Sequence, residues 1–284
     1  MRAAGDRRTH AERLASRDGY FAPESVIRRV GNTPVTPFLG GGTAVLLQVA
    51  HPLVAVGVAE HSDYRNDLWR RLGRTLRALY LITFGTKAEA ERAGAIVQAV
   101  HGHVRGRTQT TLGCFPKGTP YSADDPQLML WVHATLVVAS LSAYQRFERR
   151  LTPLEQEEYY REMAVVAELF GTPASVIPPT LAEFREYFAA ELASETIAIT
   201  QPAREIADVI LQAPVPVPIR LFAPAHRLAT AAQLPAELRR AYGLHWTPAH
   251  AMALPVAASA LKYTSWPVLV ATKHLRPRIG FASV

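Results

Sequence analysis

The run from Leu128 to Val138, LMLWVHATLVV, is apolar on every face of a helix and is broken only by His133 and Thr135. A helix with no polar side has to be surrounded by other elements. The rest of the chain must therefore supply packing partners around residues 126–150, and it offers no sheet for that purpose. No ladder of alternating residues with hairpin turns appears. Helix signals dominate instead. Thr86 with Glu89, Thr152 with Glu155 and Thr180 with Glu183 form three capping boxes. In each, the hydroxyl accepts from the first turn and the carboxylate reaches back to the cap. Pro153 suits a first helical position. Helices are expected at about 24–30, 43–59, 66–82, 87–105, 126–150, 153–169, 180–195, 202–212, 235–241 and 248–264. The expectation is an all-α fold, a single-domain helical bundle.

Two breaks interrupt this pattern. Residues 106–125 are rich in Gly, Thr and Pro. In 213–218, Ala-Pro-Val-Pro-Val-Pro, each proline pushes its predecessor out of the helical region. The apolar segments on both sides of it read as parts of one core. One helical domain is expected over 21–275, with a basic tail at 1–20 and a short tail at 276–284.

Composition narrows the function classes. Of 284 residues, 49% are hydrophobic and 19% charged, enough for a sizeable core. Cys114 is the single cysteine, so no internal disulfide can form, which suits a cytoplasmic protein. Cys114 itself reads as a bystander in a loop. The net charge of +7 invites a nucleic-acid reading. Yet the basic residues are 27 arginines and four lysines, interleaved with glutamates on solvated helix faces such as 145–150. No recognition helix, zinc knuckle or aromatic RNA motif accompanies them, so no nucleic-acid partner is expected. The first 20 residues lack the apolar core of a secretory signal. Residues 39–59 have the length of a membrane span, but Gln48, His51 and Pro52 sit at the centre and Gly40-Gly41-Gly42 weaken the start. A buried central helix is expected there, with peripheral membrane contact left as an alternative.

The residues that could carry chemistry lie on two consecutive helices, Arg65 to Gly106. Arg71 and Thr75 are four apart and Arg74 is adjacent to that row, so the three can face one way. A surface pair with Asp67 or Glu60 would account for the arginines. A clamp on carboxylates would account for them equally, since guanidinium forks match such oxygens. His101 and His103 point about 200° apart, so only one can turn inward, and His101 shares its face with Val97. His133, inside the apolar helix, needs a partner for each nitrogen: a carbonyl, a cofactor carboxylate or a metal. Glu60 and His61 open a polar cluster after the 43–59 helix. The chain has no Glu-x-x-His, cysteine cluster, nucleophile elbow or phosphate loop. Haem, which needs one axial imidazole and a few cations, stays compatible.

In order, Gln48-Val49-Ala50-His51-Pro52, Val58 to Tyr64, Arg71-x-x-Arg74-Thr75, Thr83-Phe84-Gly85, Val100-His101-x-x-Val104-x-Gly106 and Trp131 to Thr135 resemble a family of oxygenases. The later segment from Leu234 to Leu244 fits as well. That family includes latex clearing protein, a rubber oxygenase, and the fungal mycophenolate-pathway oxygenase MpaB. The resemblance covers roughly residues 20–275.

The resemblance implies an all-α fold around haem b, with His101 as the proximal iron ligand. It places Arg71 and Thr75 on the family's distal arginine and threonine, His133 on a second histidine near the haem, and Glu60 on the acidic base. Arg74 departs from the pattern, standing where latex clearing proteins carry a lysine that can occupy the distal position. Arginine stays protonated and ligates iron poorly. The expected activity is oxygenation of a small apolar molecule, such as an isoprenoid, with dioxygen. The pocket is expected between the 43–59 and 128–138 helices. A non-catalytic carrier of haem or of a hydrophobic ligand is the alternative.

Overall fold

The structure, a computed structural model, describes residues 18–33, 36–64, 68–212, 223–257 and 259. Its elements run α1 (Val26–Gly31), a π-helical turn (Thr36–Gly40), α2 (Gly41–Val49), α3 (Pro52–His61), α4 (Leu68–Phe84), α5 (Lys87–His101), β1 (Arg105–Arg107), β2 (Pro120–Ser122), α6 (Pro126–Phe147) and α7 (Pro153–Leu169). A short 3-10 turn (Ala174–Val176), α8 (Leu181–Ala193), α9 (Gln201–Leu211), α10 (Ala223–Gln233) and α11 (Ala236–Ala241) follow. A last helix, α12, runs over 248–257. The fold is all-α, as expected. The tails expected at 1–20 and 276–284 fall almost wholly outside the described residues, as do residues 213–222 and the end of the 248–264 helix.

α6 is the helix around which the others assemble. It packs on α2, α7, α8 and α10. Ala134, Val137, Leu141 and Tyr144 join one core with α1, α7 and α8, while Ala143 and Phe147 join a second with Leu39 and Ala229. Trp131 is only 1% exposed. Its indole N–H donates to the Gln48 carbonyl at 3.2 Å and its ring stacks on Phe188. Among the described helices, α6 alone is long and apolar enough to cross a membrane, but 61% of that stretch is buried within the protein. Its apolar faces are thus met by other helices.

Local signals fix most helix starts. Thr86 and Thr152 form complete capping boxes with Glu89 and Glu155. Thr180 caps α8 by accepting from the Glu183 N–H, but the Glu183 carboxylate accepts the Thr180 hydroxyl rather than the backbone N–H. α5 ends at His101, short of the 105 expected, because β1 begins there. β1 and β2 pair antiparallel, with Gly106 opposite Tyr121, inside the stretch read as loop. Helix α10 carries no capping pattern in the sequence and was not expected.

The largest correction concerns 43–59. It is not one helix: α2 and α3 meet at 106°. His51 is the reason. Its backbone is extended, its Nδ1 accepts the Leu53 N–H at 3.2 Å, and Pro52 takes the first position of the new helix. A proline there has no N–H to satisfy and a ready-made φ. Leu46 and Leu47 are fully buried, and α2 lies directly on α6.

Candidate functional site

α4 and α5 are joined by Gly85 and Thr86 and pack along one another. Arg71 lies 13 residues before the turn and His101 14 residues after it. At 1.5 Å per residue, both stand at the same open end of this hairpin. The other end is tied down. Ala90, Ala93 and Gly94 are buried. Gly94 is required there, since a Cβ would lie 2.3 Å from the Leu169 carbonyl oxygen. The rest is covered less: Leu76 and Ile96, midway along the hairpin, and Val100, near its open end, are exposed.

On α4, Arg71 is half-buried, while Arg74 and Thr75 are exposed. The Thr75 hydroxyl donates to the Arg71 carbonyl at 3.3 Å, a common bond four residues back. Burial, and then the positive charge of Arg74, lower the Arg71 pKa. Among the described residues no carboxylate pairs with Arg71 or Arg74. Asp67, one partner weighed for them, lies outside those residues, and Glu60 is engaged elsewhere.

The two sequence neighbours on α5 part as their angular separation requires. His103 is exposed and its Nδ1 donates to the Ala99 carbonyl at 2.7 Å. His101 is half-buried. Its Nδ1 is buried and has no hydrogen-bond partner among the described residues. Burial lowers its pKa, against the opposing charge of Asp124. His133, on α6, is 4% exposed and neither ring nitrogen has such a partner. Burial alone pushes its pKa down to about 4. An unsatisfied buried polar group costs roughly 1–3 kcal/mol, so each of these imidazoles has the capacity to take a further partner.

The remaining candidate, Glu60, is exposed at the end of α3. It accepts a hydrogen bond from the Tyr121 hydroxyl, and His61 Nε2 lies 3.1 Å from the same oxygen. Tyr121 sits on β2. β1 begins four residues after His101, and the Ala123 N–H donates to the Val104 carbonyl at 2.9 Å just before α6. The short ribbon thus ties the ends of α3 and α5 to the start of α6. His133 stands about two turns into that helix.

Tyr121 and Asp124 carried no sequence signal. They lie in a stretch that reads as loop, and Tyr121 is 61 positions from Glu60. Among the described residues, no three His, Cys, Asp or Glu side chains cluster as ligands for a bare metal ion. A haem asks less of the protein: one imidazole for the iron and cations for its carboxylates. The His101 nitrogen and the Arg71 guanidinium, neither with a partner among the described residues, fit that set.

Comparison with known proteins places most of the chain in one family. The sequence model of a family described as "ER-bound oxygenase mpaB/B'/Rubber oxygenase, catalytic domain" matches residues 28–263, most of the chain. An uncharacterized protein of Mycobacterium bovis is 26% identical over 211 residues, covering 72% of this chain and 79% of its own. An uncharacterized protein of Mycobacterium tuberculosis matches with the same identity and coverage. No solved structure matches.

Proposed function

The chain belongs to the family of ER-bound oxygenase mpaB/B' and rubber oxygenase catalytic domains, and from that premise we propose that it is a haem-b-dependent oxygenase acting with dioxygen on a small apolar molecule, isoprenoids being the first class to try. The observation that carries this reading is the buried Nδ1 of His101, which has no partner among the described residues and lies at the same end of the hairpin as half-buried Arg71.

In this reading His101 holds the iron, and Arg71 and Arg74 pair with the haem carboxylates through charge-assisted bonds. Haem b, when bound, supplies the redox-active iron that reaction with dioxygen requires. The protein's own groups do the rest. Thr75, one turn beyond Arg71, offers a hydroxyl on the same row of α4. His133 offers an N–H or a lone pair to whatever lies beside it, at no cost in broken internal bonds. Arg74 stays protonated and supplies charge rather than a ligand. Leu76, Ile96 and Val100 present apolar surface along the hairpin, suited to an apolar substrate. Glu60 accepts or returns the substrate's proton.

The full-length protein, purified after expression with ample porphyrin, is expected to show a Soret band at one haem per chain. His101→Ala is expected to lose that band or shift it. Full haem content with an unchanged spectrum in the variant would remove His101 as the ligand. Oxygen uptake with isoprenoid probes separates an oxygenase from a non-catalytic carrier built on the same residues.

A further inference from the structure

Tyr121 is held more firmly than any surface tyrosine needs to be. It is 5% exposed and packs with Leu53, Val56 and Leu112. Its phenol crosses directly over Gly106, where a Cβ would meet the hydroxyl oxygen at 2.5 Å, and its ring lies 3.8 Å from where a Gly57 Cβ would stand. Between these two glycines the ring has one orientation, and that orientation delivers the hydroxyl to the last turn of α3.

Two consecutive side chains meet it there. A phenol has a single proton, and it is given to Glu60. The His61 contact at 3.1 Å must then run the other way, from the Nε2–H to the phenol oxygen. The result is a directed chain, His61 to Tyr121 to Glu60. Without it, a glutamate exposed at a helix end would sample many rotamers.

We propose that Tyr121 is a positioning residue of the oxygenase site: it fixes the Glu60 carboxylate and locks the His61 ring to it in one hydrogen-bonded chain. The catalytic part of this proposal rests on Glu60 being the base named above.

Two measurements test it. In full-length protein with nitrogen-15-labelled histidine, with His61→Gln used for assignment, the His61 ring is expected as the Nε2–H tautomer. Tyr121→Phe should return it to an average of both tautomers. In the haem-loaded protein, Tyr121→Phe should lower kcat on the order of tenfold, the cost of a misplaced catalytic group, with KM and the Soret band unchanged. Glu60→Gln should lower kcat by more, and adding Tyr121→Phe to it should change nothing further. A His61 tautomer indifferent to Tyr121→Phe overturns the chain, and single-variant losses that multiply in the double variant overturn the positioning role. If the haem-loaded wild type consumes no oxygen, the catalytic part falls with the proposed function. The tautomer result then tells that failure apart from failure of the contact.

Discussion

The α2–α3–α6 layer and the α4–α5 hairpin each carry a site imidazole, yet they are built in opposite ways. Around α6 most apolar side chains are met by others: Trp131 stacks on Phe188, Leu46 and Leu47 are fully buried, and even the indole N–H has its carbonyl. His133 is the exception inside that packing, with both nitrogens unanswered. On the hairpin, order runs out with distance from the Gly85–Thr86 turn. Gly94 meets Leu169 closely, but Ile96, two residues on and on the opposite face, and Val100, six residues on, are 61% and 57% exposed. The first region owes its stability to the protein alone. The second leaves Ile96 and Val100 uncovered, and it is there that the proposal seats haem and substrate.

That contrast can be broken by experiment. The largest effect is expected at Trp131→Ala, which opens a cavity at the centre of α6 and removes the bond to Gln48. A loss of roughly 3–5 kcal/mol in denaturant unfolding follows from the usual cost of such truncations. A loss below 1 kcal/mol would show that α6 is not the core helix described.

Next comes acid sensitivity at the α2–α3 corner. Burial pushes the His51 pKa down to about 4, with a smaller opposing pull from Asp125. An unfolded histidine titrates near 6.5. The fold therefore favours the neutral ring, which the cap to Leu53 also needs. Its contribution is fully present above pH ~6.5 and is lost as pH falls through about 4. Between pH 7 and pH 5 the loss should be about 2 kcal/mol. His51→Asn, a cap that does not titrate, should remove that part of the pH dependence. An unaltered pH profile in the variant would mean another group carries it.

The smallest effect is expected on the hairpin. Ile96→Ser should change stability by less than about 0.5 kcal/mol, as for other exposed positions. A core-sized loss there would mean that the face is covered within the protein itself.

Legibility in the sequence followed the range of the forces involved. The starts of α5 and α7 were readable because a capping box is a contact between residues three apart. α6 was readable because an all-round apolar helix has only one fate in a globular fold. The 43–59 stretch was misread for a related reason. Its hydrophobicity gave no hint that His51 would turn its ring onto its own backbone, so a proline that starts α3 looked like a blemish within one helix. α10 was missed because it follows the proline-rich break with no capping pattern to mark its start; it is held by contacts with the π-helical turn, α2, α6 and α9. In the site, Arg71, Arg74, Thr75, His101, His133 and Glu60 could be named from type and spacing. That His133 would be buried, and that His101 rather than His103 would turn inward, could be read as well; the exposure of Glu60 and Arg74, and which groups lack a partner, could not.

The sequence by itself determined an all-α fold, most helix starts and the side chains from which a site could be made, because each depends on neighbours within a turn or two. Tertiary structure decided the exposure of Glu60 and Arg74, and the bond from Tyr121 to Glu60. Those depend on which distant segments come to share a space. A periodicity of 3.6 residues says which face turns inward but not what it will meet there.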